Sequence, residues 1–148
     1  MNYQPSIVLR DDYGTPIAWV EVVATRYKYD DFDTHGFYQY VKPFGVPRFF
    51  LLITLADISL WDKTKLSQWR SSGEEEAPTL NEDLPRYLKD QVARRPMPTG
   101  LLTEAVFEWL VHLREFWVEQ SDKTERSLEK VGFVAALRNA RVEFGAAA

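Results

Sequence analysis

The stretch GVPRFFLLITLADISLWDK, residues 45–63, decides the fold expected for this chain. Residues 49–56 within it are apolar apart from Thr54, and a short, nearly continuous apolar run is typical of a strand buried on both faces of a sheet. The segment that follows, ADISLWDKT, predicts a turn and then another strand. We therefore expect a buried central strand with a second strand close behind it in the chain.

The segment on the N-terminal side, SIVLRDDYGTPIAWVEVVATR (6–26), predicts an antiparallel hairpin with DDYGT as its turn. Side chains alternate along a strand, so Trp19, Glu21 and Val23 share one face and positions 18, 20, 22 and 24 face the core. If the loop spans residues 11–16, Ser6 lies opposite Glu21. A short helix over 34–42, ended by Pro43 and Gly45, should connect the hairpin to the buried strand.

The C-terminal half is predicted to be mainly helical. Residues 71–83 read as an exposed loop, followed by helices over 84–95, 99–120 and 122–131, a last helix from 133 and a short strand at VEF (142–144). The predicted fold class is α/β (α+β), a small mixed β-sheet flanked by helices. We expect one domain over residues 1–148, with the sheet-forming part at about 5–63 and the helical part at about 84–141.

Composition limits the classes of function. The chain has 148 residues and a formal net charge of −4, so it has no long-range attraction for phosphate backbones, and nucleic-acid binding would need a local patch. It contains no cysteine, which excludes disulfides and thiolate metal sites and predicts a cytoplasmic location. The longest apolar run is far too short to cross a bilayer, so we expect no membrane association.

Four segments together resemble the PD-(D/E)xK nuclease superfamily, whose fold is restriction-endonuclease-like. They are Pro5-Ser6, Glu21-Val22-Val23, Gly45 to Thr54, and Asp57 to Trp61. The resemblance implies a metal site in which two carboxylates on neighbouring strands bind Mg²⁺ or Mn²⁺, beside a lysine that stabilises developing charge.

This chain departs from that pattern at two of the three site positions. Ser6 stands where the family has Asp, and Val23 stands where it has Lys, so only Glu21 remains. The family core also begins with a helix and a strand, for which the chain has only MNYQ. Their absence predicts an uncovered sheet edge, which would favour pairing between chains.

Three interpretations of Glu21 are open: a solvent-facing residue, the remnant of a lost metal site, or a working ligand. In a working site, Asp11 or Asp12 would replace the missing Asp, and Lys28, or else Arg26, would replace the lysine. The first hypothesis for function is a catalytically degenerate nuclease-like domain that acts as a binding or assembly module, with a protein partner or a second copy of itself and no cofactor. The alternatives are a Mg²⁺- or Mn²⁺-dependent nuclease with a rearranged site and a plain structural domain.

Aromatic residues are dense between the hairpin and the buried strand. Such side chains stack on bases, anchor protein interfaces, or form a core layer between a helix and a sheet. The sequence leaves these roles open for Tyr27, Tyr29, Phe32, Phe37, Tyr38, Tyr40 and Phe44.

Overall fold

The computed structural model describes residues 3–25, 34–66, 77–116 and 122–145. Within these ranges the strands are β1 (Ile7–Arg10), β2 (Pro16–Val22), β3 (Phe49–Ile53), β4 (Asp57–Asp62), β5 (Leu80–Asp83) and β6 (Arg141–Phe144). The helices are α1 (Thr34–Val41), α2 (Lys63–Leu66), α3 (Arg86–Arg94), α4 (Thr99–Phe116), α5 (Lys123–Lys130) and α6 (Phe133–Arg138), with a 3₁₀ turn at Lys42–Phe44. No helix in the described ranges is long and apolar enough to cross a membrane.

The strands form one mixed sheet in the order β5-β4-β3-β2-β1-β6. Only β2 and β3 run parallel; every other neighbouring pair is antiparallel. A parallel pair needs a crossover connection, and the chain between β2 and β3 includes α1. The mixed sheet with helices confirms the predicted α/β class.

The strand predicted to be central is buried along its whole length, and so is its neighbour β4. Alternate residues of β3 enter two separate apolar clusters, one on each face of the sheet. Phe49, Leu51 and Ile53 belong to the cluster that includes residues of α3, α4, α5 and α6, whereas Phe50 and Leu52 belong to the cluster that includes Tyr38 and Val41 of α1. The sheet is therefore a middle layer between helices.

The hairpin faces are those predicted from alternation. Ala18, Val20 and Val22 are buried in the large cluster beneath the C-terminal helices. Trp19 and Val23 are partly buried against the small cluster on the other face. Glu21 lies between them, on the face that carries α1.

Two strands of the sheet, β5 and β6, lie beyond the sheet-forming part expected at about residues 5–63. Residues 80–83, expected to lie in a loop, form the edge strand β5. Its sequence LNED has no strand signal, but α5 holds it in place, since the Thr124 hydroxyl donates to the Asp83 carbonyl oxygen at 2.7 Å and Ser127 donates to Glu82 at 2.9 Å.

The last strand, predicted at VEF, is present as β6 and pairs antiparallel with β1. It covers the edge of β1 that the sequence leaves without a preceding strand. Among the described residues, the edge strands of the sheet are therefore β5 and β6 rather than β1.

Candidate functional site

Glu21 lies near the end of β2, beside the residue predicted to face it. The β1–β2 pairing of Ile7 with Val20, continued by one residue, sets Ser6 opposite Glu21. The Ser6 backbone N–H donates to Glu21 Oε2 at 3.2 Å, and the Ser6 hydroxyl accepts a hydrogen bond from the Val22 N–H at 3.2 Å. The predicted register is confirmed, and the N–H and the hydroxyl of Ser6 both form hydrogen bonds within the hairpin.

Tyr3 completes the surroundings of this carboxylate, and sequence reasoning gave it no role. Its hydroxyl donates to Glu21 Oε2 at 2.6 Å. Burial raises the pKa of Glu21, and the hydrogen bonds from Tyr3 and Ser6 offset part of that rise. Burial and the neighbouring carboxylate also raise the pKa of Tyr3, so its hydroxyl keeps its proton and remains a donor at neutral pH.

Asp11 and Asp12 lie at the opposite end of the hairpin from Glu21. Asp11 Oδ1 accepts hydrogen bonds from the N–H groups of Tyr13 and Thr15, both at 2.9 Å, which is a turn-stabilising role. Five residue steps separate Glu21 from the start of β2, or about 16 Å at the usual rise per strand residue. The structure does not bring either aspartate to Glu21.

Two basic residues were considered from the sequence as replacements for the lysine. Lys28 and Arg26 lie outside the described residues. Val23, which the sequence resemblance compares with the superfamily's lysine, packs partly buried against the small apolar cluster. That position contributes apolar contact and no charge.

A buried polar group that the sequence did not single out lies two strands from Glu21. Asp57 Oδ1 accepts from the Thr54 hydroxyl at 3.0 Å, and Asp57 Oδ2 accepts from Asn81 Nδ2 at 3.0 Å. The strand pairings put its Cα about 12 Å from that of Glu21, with Leu52 between. Within the described ranges, no three His, Cys, Asp or Glu side chains are grouped so that they could hold a metal ion.

The aromatic residues near α1 divide between core and surface. Tyr38 is buried and stacks on Trp61 with ring centroids 4.8 Å apart. Tyr40 and Phe44 are 56% and 40% exposed. They belong to a group that we call the aromatic surface, whose members are Tyr3, Trp19, Phe37, Tyr40 and Phe44.

The rings of the aromatic surface are in mutual contact. Tyr3 lies 5.5 Å from Trp19, 6.4 Å from Tyr40 and 5.9 Å from Phe44, between ring centroids. Tyr40 lies 5.7 Å from Phe44 and 6.3 Å from Phe37. Tyr3 therefore joins the surface to the Glu21 carboxylate. Tyr27, Tyr29 and Phe32, which the sequence grouped with these residues, lie outside the described ranges.

An open cavity of about 350 Å³ lies at the turn end of the hairpin, away from Glu21. Arg48 lines the cavity and its guanidinium lies over the Phe49 ring. Arg48 Nε also forms an ion pair with Asp62 Oδ1 at 3.3 Å. Burial alone would raise the pKa of Asp62, but the hydrogen bonds from Thr64 and Arg48 lower it overall. Since Arg48 already serves this internal ion pair, we assign the cavity no ligand.

No family model, curated protein or solved structure matches this chain. The nuclease resemblance therefore rests on the sequence segments named above.

Proposed function

We propose that this chain is a catalytically inactive domain of nuclease-like layout that acts as a protein-binding module. The observation that carries the proposal is the Glu21 carboxylate, one oxygen of which accepts hydrogen bonds from both Tyr3 and Ser6. A carboxylate held this way joins the N-terminal segment to the hairpin. The chain's lack of cysteine suits a cytoplasmic setting for such a module.

The chemistry around Glu21 supports inactivity. A two-carboxylate site holds Mg²⁺ through oxygen ligands on neighbouring strands. Opposite Glu21 this chain has the Ser6 hydroxyl, which is a weak substitute for a carboxylate ligand and already accepts a hydrogen bond from the Val22 N–H. Removing one electrostatic donor from a catalytic site typically costs about 10²- to 10³-fold in rate, and Val23 carries no such donor.

The aromatic surface supports protein binding. Contiguous exposed apolar groups mark interaction sites more often than scattered ones do, and tyrosine, tryptophan and phenylalanine are enriched at protein interfaces. A nucleic-acid partner is disfavoured by the net charge of −4.

A cleavage assay tests the proposal. Wild-type protein, Glu21→Gln and Glu104→Gln are incubated with single-stranded DNA, double-stranded DNA and RNA, in Mg²⁺ and in Mn²⁺. Glu104 is an exposed helical glutamate, so its variant controls for the change in net charge. We expect no metal-dependent cleavage by any of the three proteins.

Cleavage that is present in the wild type and in Glu104→Gln but lost in Glu21→Gln would contradict inactivity. It would establish the rival function, a Mg²⁺- or Mn²⁺-dependent nuclease that completes its site with other residues.

A further inference from the structure

The edge strand β6 has backbone groups whose directions follow from its pairing with β1. Among the residues that the structure describes, β6 pairs with β1 alone. The Gly145 N–H donates to the Ser6 carbonyl oxygen, so it points toward β1. Backbone groups along an antiparallel pair point alternately toward the partner strand and away from it. The N–H and C=O groups of Val142 and Phe144 therefore point away from β1, toward the position that an added strand would take.

The opposite edge of the sheet, β5, is less suited to receive another strand. Helix α5 lies against β5, and the Thr124 hydroxyl already donates to the Asp83 carbonyl oxygen. Two of the four residues of β5, Glu82 and Asp83, are acidic. Two copies of β5 would therefore bring like charges close together, which disfavours pairing. Of the two edge strands in the described part of the chain, β6 is the better template for another strand.

The charged side chains of β6 are complementary to a second, antiparallel copy of the same strand. If a two-fold axis passes through Val142, Arg141 of each chain lies opposite Glu143 of the other, and symmetry repeats the contact. Directly opposite residues in an antiparallel pair have Cβ atoms about 4.5–5.5 Å apart, which is within reach of an ion pair. An axis moved by one residue would instead oppose Glu143 with Glu143, or Arg141 with Arg141.

Within a single chain, Arg141 lies opposite a like charge. Its partner across the β1–β6 pair is Arg10, and Arg10 Nε forms an ion pair with Glu143 Oε2 at 3.0 Å. Both side chains of that ion pair are partly exposed. Because a carboxylate accepts several hydrogen bonds, Glu143 can accept from Arg141 of a second copy while it keeps its bond to Arg10.

The other face of β6 is apolar. Val142 packs partly buried against the large apolar cluster. Phe144 is 53% exposed, and its ring stacks on Phe107 with centroids 4.3 Å apart. With the axis at Val142, the two Val142 side chains lie opposite each other and Phe144 lies opposite Ala140. A second copy would therefore extend the apolar layer beneath the C-terminal helices and cover part of Phe144.

We propose that β6 pairs antiparallel with β6 of a second copy of this chain, about a two-fold axis at Val142. The pairing joins the two six-stranded sheets into one continuous sheet. The paired strands are short, so we expect a weak dimer, with a dissociation constant on the order of 10–100 µM. This inference goes beyond the proposed function, because it assigns a second copy to a surface distinct from the aromatic surface.

The test is a charge-exchange experiment on the full chain. Sedimentation equilibrium measures self-association from about 5 to about 500 µM, a range that brackets the expected constant. Arg141→Glu and Glu143→Arg each place like charges opposite one another, so each alone should weaken self-association by about tenfold or more. An equimolar mixture of the two variants restores opposite charges at both positions and should associate at least as well as wild type. Both variants keep a negative net charge, so attraction between whole molecules does not explain that recovery.

Matched controls separate the position of a charge from its sign. Lys123→Glu and Glu129→Arg make the same changes of charge at exposed positions of α5, the helix that contacts the opposite edge strand. They should leave self-association unchanged, and circular dichroism checks that every variant is folded. Hydrogen exchange gives a second measurement on the wild type alone. The amide protons of Val142 and Phe144 should exchange more slowly as protein concentration rises.

Several results would overturn the inference. They are a wild type that stays monomeric up to about 500 µM, equal losses in the controls, and a mixture of the two β6 variants that fails to associate. Self-association that Tyr40→Ala abolishes and the β6 variants leave unchanged would assign the contact to the aromatic surface. None of these results bears on catalysis, so the cleavage assay judges the proposed function separately.

Discussion

At the scale of single residues, the proposed function depends on the role of Glu21. The sequence offers it as a surface residue, a remnant or a ligand. In the structure it is half-buried and hydrogen-bonded to Tyr3 and Ser6. Tyr3 could not be paired with it from the sequence, because the contact spans 18 positions and depends on how the N-terminal segment folds over the sheet.

Glu21 makes a pH-dependent contribution to stability whose sign can be worked out. Its pKa is raised in the folded protein above the ordinary value of 4.5, chiefly by burial. Above pH 4.5 the folded state therefore binds more protons at this site than the unfolded state. The contribution of Glu21 to the free energy of unfolding must fall as pH rises through the folded pKa, and then level off.

Replacing Glu21 with Gln should remove the fall in the free energy of unfolding that Glu21 causes as pH rises. We expect the free energy of unfolding of Glu21→Gln, minus that of wild type, to increase as pH rises from 4.5 and then reach a plateau. Urea unfolding between pH 4 and 8 measures it, with Glu104→Gln as the control for net charge. The pKa of Asp62 is lowered, so the stabilising effect of Asp62 is lost only as pH falls below the ordinary pKa of an aspartate. That loss is equal in all three proteins and cancels in the difference. A difference that does not change with pH would contradict the assignment.

At the scale of elements, β6 covers the edge of β1 and brings Gly145 next to Ser6. The Gly145 N–H donates to the Ser6 carbonyl oxygen at 2.9 Å, which extends the pairing beyond the strand itself. A Cβ atom at Gly145 would overlap the Pro5 carbonyl oxygen, and Val8 lies close on the same side. Only glycine allows the backbones to approach this closely.

Gly145→Ala should therefore destabilise the protein, because β6 must shift away from the N-terminal segment. Overpacking of this kind typically costs about 1–3 kcal/mol. Gly100→Ala is the matched control: no neighbouring atom lies within 4 Å of its added Cβ, so alanine there introduces no overlap. Chemical unfolding compares the two variants. Equal effects would show that the close contact at Gly145 has no energetic importance.

At the scale of the whole molecule, the sequence predicted the elements with strong local patterns. The apolar run 49–56 predicted β3, and the turn chemistry of DDYGT predicted the hairpin and its register. Strand β5 could not be predicted, because LNED is ordered by contacts with α5 far along the chain. From the sequence, the aromatic surface could be recognised only as a segment rich in aromatic residues. Which of them are exposed, such as Tyr40 and Phe44, and which are buried, such as Tyr38, depends on the fold.

Under the proposed resemblance to the nuclease superfamily, Glu21 stands at the position of a metal ligand, and we infer that it serves instead as an internal hydrogen-bonding point. The most direct test is a Mn²⁺ titration followed by NMR, because the paramagnetic ion broadens the signals of residues close to it. We predict no selective broadening of Ser6, Glu21 or Val22 in the wild type. Selective broadening centred on these residues, reversed by excess Mg²⁺ and lost in Glu21→Gln, would contradict the claim and show that Glu21 binds metal.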